Sequence, residues 1–408
     1  MDALQIVIAI TAVPILFATA YLFLLTLLSR QLTAPREVCP RLRFAVVVPA
    51  HDEEQGIAGT VANLLALDYP RELFGVLVVA DNCTDRTAQR AEAAGANVLV
   101  RRDALRRGKG YALAGAFQRI LEQDRADAVV VIDADTLASP NLLRAFSARL
   151  DTGASAIQAD YRVRNPESSW RTRLMAIALG MFHALRSRAR ERLGVSAGLR
   201  GNGMCFRSSL LREVHYDAFS VVEDLEYGIR LGERGQRIHY AAEAHVYGEM
   251  PRSSQASRSQ RLRWERGRRK MARLHAPRLL GMSFARRDPV LFDLALDLLV
   301  PPLSTLTAVS AAGLLASIAL AVSSGTWGPS IILWAAAAVF IAGYVLRGWA
   351  LSGTGARGLL ALTCAPAFVI WKMALLLKRS ERRDEWVRTA REGEVLWKVP
   401  GPGSSPRA

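Results

Sequence analysis

Acidic side chains recur at one kind of place in this 408-residue chain. Asp81 follows Val78-Val79-Ala80, and Asp133 and Asp135 follow Val129-Val130-Val131-Ile132. The segment Pro49-Ala50-His51-Asp52-Glu53 closes a third apolar run. One Asp after a strand serves equally well as a helix cap or turn residue. Three runs that end in acid are more informative, because carboxylates gathered at one edge repel unless a cation sits among them. The Asp133-x-Asp135 spacing puts a side chain on each side of a strand end. Oxygen donors of that kind suit Mg²⁺ or Mn²⁺, often completed by substrate phosphates. A metal held there would neutralise charge developing on a leaving diphosphate. Arg106-Arg107-Gly108-Lys109-Gly110 is a flexible basic turn before a helical pattern, fit for a diphosphate or simply solvated. Glu223 and Asp224 open a second helical pattern, where the helix dipole favours an ionised carboxylate and capping is the plainer use.

The elements that must carry these residues follow from the apolar pattern. Short runs rich in Val and Ile at 44–49, 74–80, 97–101 and 128–132 alternate with helical patterns. Runs this apolar predict strands buried on both faces, hence a doubly wound α/β domain with a largely parallel sheet. Such a sheet binds its ligand beyond the carboxyl ends of its strands, which is where the acids fall. Residues 170–192 form a helical pattern with Leu174, Ile177, Met181 and Leu185 on one stripe. That pattern fits an interfacial amphipathic helix or a buried helix of the soluble domain.

Both ends of the chain are apolar. Residues 4–28 carry almost no charge and are long enough to span a hydrocarbon core. Arg30, Arg36, Arg41 and Arg43 follow that run instead of preceding it, which favours an uncleaved anchor over a signal peptide. The same charges place the next domain in the cytoplasm. Further spans are expected at 303–322, 331–346 and 359–377. One span before the domain and three after it would leave Lys378, Arg379, Arg382 and Arg383 outside, against the charge bias. Pro366 and Lys372 weaken the last span, so a re-entrant segment there is the alternative. The segment 289–300 holds Asp293 and Asp297 at helical spacing and is expected in the interface or against protein. The tail 401–408 is rich in Pro, Gly and Ser.

The chain has 53 Lys and Arg against 37 Asp and Glu, a net charge of +16 that suits anionic headgroups or phosphate-bearing substrates. The Arg clusters lie beside apolar stretches and no aromatic-rich basic module is visible, so nucleic acid is not expected as a partner. Cys39, Cys83, Cys205 and Cys364 form no C-x-x-C pair, which argues against a zinc site and fits a reducing compartment. The histidines show no metal-ligand spacing.

Taken together, Pro49-Ala50-His51-Asp52-Glu53, Asp81-Asn82-Cys83-Thr84-Asp85, Gly108-Lys109-Gly110 and Asp133-Ala134-Asp135 resemble family-2 glycosyltransferases with the GT-A fold. Val222-Glu223-Asp224 resembles that family's T-E-D, with Val for Thr. Gln260-Arg261-Leu262-Arg263-Trp264 matches the Q-x-x-R-W of membrane synthases such as those of cellulose, hyaluronan and poly-N-acetylglucosamine. The likeness runs from about residue 43 to residue 274, in the family's order.

The resemblance implies an inverting transfer from a nucleotide-sugar donor, with uridine as the expected nucleoside, to a saccharide or lipid-linked acceptor. Asp224 would be the general base, with Glu223 beside it. Asp81 would contact the nucleoside, and Asp133 and Asp135 the metal and diphosphate. Pro49, His51, Glu53, Lys109 and Arg263 would complete the donor site. Gln260, Trp264, Gly201 and Asn202 would face the acceptor, although 257–274 also reads as a basic membrane-surface helix with one interfacial Trp. The expected organisation is an anchor at 1–30, a cytoplasmic GT-A domain at 31–280 with interfacial helices, a membrane domain at 281–380 and a basic tail at 381–408. The expected setting is a bacterial-type cell membrane, with membrane lipid as a further partner. Two other classes remain open: a non-catalytic basic membrane scaffold, and a metal-dependent nucleotidyltransferase, which would release pyrophosphate.

Overall fold

The structure, a computed structural model, describes residues 3–36, 38–250, 254–367 and 369–370, with backbone only for residues 3 and 254–263. The four expected strands form as β1 (Phe44–Ala50), β2 (Phe74–Asp81), β3 (Asn97–Arg101) and β4 (Ala128–Val131). They lie side by side in the order β3-β2-β1-β4, all parallel, so β1, β2 and β4 end at one edge. Helices Ile57–Leu65, Thr87–Ala93 and Lys109–Gln123 make the crossovers.

The unbroken valines of β1 follow from burial on both faces. Val46 and Val48 join Ile57, Val61 and Phe146 in one core, while Val47 joins Leu113, Phe117 and Phe206 in the other. Each such side chain contributes on the order of 1.5–3 kcal/mol relative to exposure.

Beyond β4 the sheet becomes mixed. β5 (Thr136–Ala138), β6 (Ala156–Val163), β7 (Met204–Arg207) and β8 (Ile238–Gly248) extend it to eight strands in the order β3-β2-β1-β4-β7-β6-β8-β5. β7 runs antiparallel to both β4 and β6, β6 pairs parallel with β8, and β5 closes the edge antiparallel to β8. The expected mostly parallel α/β sheet is therefore present, and the reversal at β7 is what brings the 198–203 loop back beside the end of β4.

Among the described residues, three helices are long and apolar enough to cross a membrane: Leu4–Leu28, Leu303–Ser324 and Pro329–Ser352. The fourth expected span begins as the eight-residue helix Gly355–Leu362 and turns at Thr363 and Cys364. From residue 371 it lies outside the described residues, as does the basic tail.

The 170–192 pattern is helical throughout: Trp170–Leu179, a π-helical turn Gly180–Leu185, then Arg186–Leu193. Its stripe packs against the membrane helices, with Ile177, Met181 and Leu185 in one core with Leu22, Leu25, Leu306, Ile341 and Tyr344. The approach is close, since a Cβ on Gly180 would lie 2.6 Å from the Gly348 carbonyl oxygen.

Helix Ser254–Arg286 carries the Q-x-x-R-W motif and crosses the start of helix Glu223–Glu233. A Cβ on Gly267 would meet Val222 at 2.7 Å. Helix Pro289–Leu299, capped by Asp288, packs between them and buries both Asp293 and Asp297, as expected for a segment held against protein.

Candidate active site

Two tight turns shape one end of the site. After β1, Asp52 adopts φ +53° and its Oδ1 accepts hydrogen bonds from Thr84 N at 2.7 Å and Asp85 N at 3.4 Å. His51 donates from Nδ1 to the Asp81 carbonyl at 2.7 Å, and the Glu53 amide donates to Thr87 Oγ1 at 2.7 Å. Pro49 sits within β1, paired with Val79 of β2. The P-A-H-D-E and D-N-C-T-D segments are thus latched to each other. Asp81 is buried, and its Oδ1 accepts from Arg101 Nη1 at 2.6 Å and Asn82 Nδ2 at 3.0 Å. Arg101 was not singled out in the sequence, although it ends the neighbouring parallel strand.

The other end is organised by Lys109. Its ammonium donates to Asp133 Oδ1 in a short charge-assisted bond and to the Gly201 carbonyl at 2.6 Å. It lies 3.9 Å from Glu223 Oε1, and the Asp224 charge also acts on it. Burial works against the ammonium, but Asp133, Glu223 and Asp224 together hold its pKa above the ordinary lysine value. Gly201 completes the contact at φ +76°, where a Cβ would lie 3.4 Å from Asp224 Oδ2 and 3.6 Å from Lys109 Nζ.

Buried polar side chains hold this arrangement from inside the sheet. Asn202 is fully buried; it accepts from the Asp133 amide at 3.2 Å and donates to Thr136 Oγ1 at 2.8 Å. Gln158 of β6 donates to the Asn202 carbonyl at 2.7 Å and accepts from the Arg200 amide at 2.8 Å. Tyr161 is held above the ordinary tyrosine pKa, first by burial and then by the charges of Asp135 and Asp133, which places its phenol beside that pair. Gln158 went unnoticed in the sequence, though a polar residue inside Ala-Ile-Gln-Ala was the available signal.

Electrostatics at the acid pair runs against the expectation from the helix dipole. Glu223 and Asp224 start helix Glu223–Glu233, and Asp224 Oδ1 accepts from the Leu225 amide at 2.8 Å. Burial nevertheless dominates: it pushes Glu223 up to about 8 despite Lys109, and it raises Asp224 as well. Both carboxyls therefore hold a proton more tightly than free carboxylates, and deprotonated they are stronger bases.

Trp264 is 41% exposed, three residues before the Gly267 crossing. Gln260 and Arg263 belong to the same helix, but their side chains lie outside the described residues. Asp133, Glu223, Asp224, Lys109 and Gly201 are brought together, with Asn202 beneath them, and Asp81, His51 and Glu53 line the adjoining strand ends.

The chain belongs to glycosyltransferase family 2: residues 40–267, more than half of its length, match the family described as Glycosyltransferase like family 2. Among curated proteins it is 26% identical over 264 residues to a probable glycosyltransferase, YdaM, of Bacillus subtilis, covering 62% of this chain and 60% of that one. It is 29% identical over 245 residues to a beta-monoglucosyldiacylglycerol synthase of Synechocystis, covering 58% and 50% respectively. The match thus spans only part of those relatives' length. Among solved structures it resembles a mannosyltransferase of Pyrobaculum calidifontis, PcManGT, solved with GDP-Man and Mn²⁺. The identity is 20% and the TM-score 0.51, over 82% of this chain and 98% of that one. The fold is GT-A, as the motifs implied.

Proposed function

We propose that the protein transfers a sugar from a nucleoside diphosphate donor to an acceptor hydroxyl with inversion at the anomeric carbon. The observation that supports this best is the convergence of Asp133, Glu223 and Asp224 on the Lys109 ammonium. Donor-side and acceptor-side carboxylates thereby share one small space. Asp224 removes the acceptor's proton as its oxygen attacks C1. The bond from C1 to the diphosphate oxygen breaks, and the electron pair leaves with the nucleoside diphosphate. One carboxylate on the acceptor side and one displacement give inversion, by the same logic as inverting glycosidases. Lys109 holds Asp133 and Gly201 in place and lends positive charge to the leaving side.

Asp133 and Asp135 suit a divalent cation: both are oxygen donors at the end of β4, and both charges act on the same Tyr161 phenol. Mg²⁺ or Mn²⁺ held there would neutralise charge on the diphosphate. The Mn²⁺ and GDP-Man in the mannosyltransferase and the glycolipid product named for the Synechocystis relative favour the same reading. Asp81 and the latched turns would hold the nucleoside, and Trp264 would offer a face to the acceptor. The three apolar helices belong in a cell membrane, with the catalytic domain on the cytoplasmic side.

The test uses the full chain in nanodiscs with a panel of nucleotide sugars. Asp224→Asn is expected to abolish release of nucleoside diphosphate and product while retaining donor binding by calorimetry. Asp135→Ala is expected to abolish transfer and the effect of Mn²⁺ on donor affinity. Normal turnover by Asp224→Asn overturns the base assignment, and pyrophosphate as the released product overturns the reaction class.

A further inference from the structure

Among the described residues, charges do not balance between the acid pair and the membrane helices. Asp297 is shared by Arg186 at 2.9 Å, Arg190 at 2.6 Å and Arg268 at 3.1 Å, and Asp293 pairs with Arg190 at 3.0 Å. Arg200 is a fourth guanidinium in this group, and it makes no ion pair among the described residues. Its Nη2 donates to two backbone carbonyls, Ala197 at 3.1 Å and Phe182 at 3.3 Å, and its Nε is buried without a hydrogen-bond partner among them. Arg200, Arg186 and Arg268 surround one aromatic ring, with guanidinium carbons 4.4, 4.8 and 5.5 Å from the centre of Phe182. Ring faces attract cations, but they supply no counter-charge. Burial lowers the Arg200 pKa to about 10, with Asp297 opposing and the charges of Arg190, Arg186 and Arg268 adding to the fall. For a group that normally stays charged, that fall fits a buried guanidinium with no ion-pair partner among the described residues.

The location gives the surplus a use. Arg200 directly precedes Gly201, where an added Cβ would lie 3.4 Å from Asp224 Oδ2, and the Arg200 charge acts on Asp224. Phe182 follows Met181, which packs against Gly348 of the third apolar helix. The unbalanced cation therefore stands between the catalytic carboxylate and the membrane helices, with Phe182, Arg200 and Arg268 all partly exposed. A neutral sugar or glycerolipid acceptor would leave it unbalanced, whereas an anionic headgroup would satisfy it.

Resting on the glycosyl-transfer reading, we propose that the acceptor is a membrane lipid with an anionic phosphate headgroup, held by Arg200 with Arg268 while its hydroxyl reaches Asp224. The test places the full chain in phosphatidylcholine nanodiscs doped with phosphatidylglycerol or with diacylglycerol. Retained lipid is read by native mass spectrometry, acceptor KM and kcat by product formation, and UDP affinity by calorimetry. The wild type is expected to retain phosphatidylglycerol in preference to diacylglycerol, with millimolar inorganic phosphate as the soluble competitor. Arg200→Gln is expected to lose that retention and to raise acceptor KM about ten- to hundredfold, with UDP affinity unchanged. Arg200→Lys, which keeps the charge, is expected to recover most of both.

Equal retention by wild type and Arg200→Gln overturns the proposal. So does use of diacylglycerol alone, a parallel loss of UDP affinity, or displacement of UDP by phosphate while the lipid stays bound. Arg200-dependent retention with nucleoside diphosphate released and sugar passed to another acceptor, but never to the retained lipid, overturns the lipid as acceptor and leaves the transferase reading standing. No nucleoside diphosphate release with any acceptor rejects that reading, so the two failures are distinguishable.

Discussion

Lys109 decides how the acid pair behaves. It is the cation that Asp133, Glu223 and Asp224 share, and without it burial would raise the proton affinity of Glu223 and Asp224 further. The pH profile follows with a definite sign. A base must be deprotonated, so kcat/KM falls as pH drops through the raised pKa. That acidic limb is expected above the region near 4 where free carboxylates titrate, because burial raises Asp224 and its neighbour Glu223 alike. Lys109→Gln is expected to move the limb higher still and to weaken donor binding; a limb near 4 in either protein contradicts the buried pair. The strand-end acids were legible because each sits within a few residues of the strand that presents it. The positioning roles of Asn202 and Gln158 were not, since Asn202 reaches residues 69 and 66 positions back in the chain. The upward shift of the acid pair was missed for a related reason: a dipole is visible in a local pattern, and burial is not.

At the scale of elements, hydropathy revealed the four parallel strands and three apolar helices because each carries its own signature. β7 is only Met204–Arg207, too short to show a period, so the antiparallel reversal could not be read. The helix from 170 to 193 fitted two locations, and packing decided between them: its apolar stripe meets the membrane helices while His183 stacks on Tyr161 at 5.3 Å. The contact of Gly180 with Gly348 is testable by comparing two small substitutions. Alanine in a helix interior gains up to about 1 kcal/mol over glycine. Gly180→Ala must place a Cβ 2.6 Å from the Gly348 carbonyl oxygen, and Gly348→Ala one against Met181 Cγ and 3.2 Å from the Met181 backbone nitrogen. Overpacking of this kind costs about 1–3 kcal/mol. Thermal melting is expected to show both variants clearly destabilised; an unchanged melting temperature in either would refute this account of the contact.

Across the whole molecule, the Arg–Asp network joins membrane helices to the catalytic domain. Tyr21 of the first apolar helix donates to Asp293 at 2.7 Å and accepts from Arg190 at 2.8 Å, while Arg186 donates to Tyr344 of the third at 2.8 Å. No local pattern predicts this network, because its members come from residues 21 to 344. Removing one partner of such a buried set strands the others, at a cost of about 3–5 kcal/mol. Arg190→Met is therefore expected to lower the melting temperature and expose the 170–193 helix to proteolysis; unchanged melting would show the network to be dispensable.

The π-helical turn at Gly180–Leu185 sets the angular phase of everything after it. Each residue advances a helix by about 100°, so the wider turn decides which way Arg186 and Arg190 point relative to Met181 and Phe182. Shortening that turn by one residue would rotate both arginines off Asp293 and Asp297 by roughly a quarter of a circle. Chain length at this one turn is therefore a mechanical setting: it keeps the sugar-handling half and the lipid-embedded half clocked to each other.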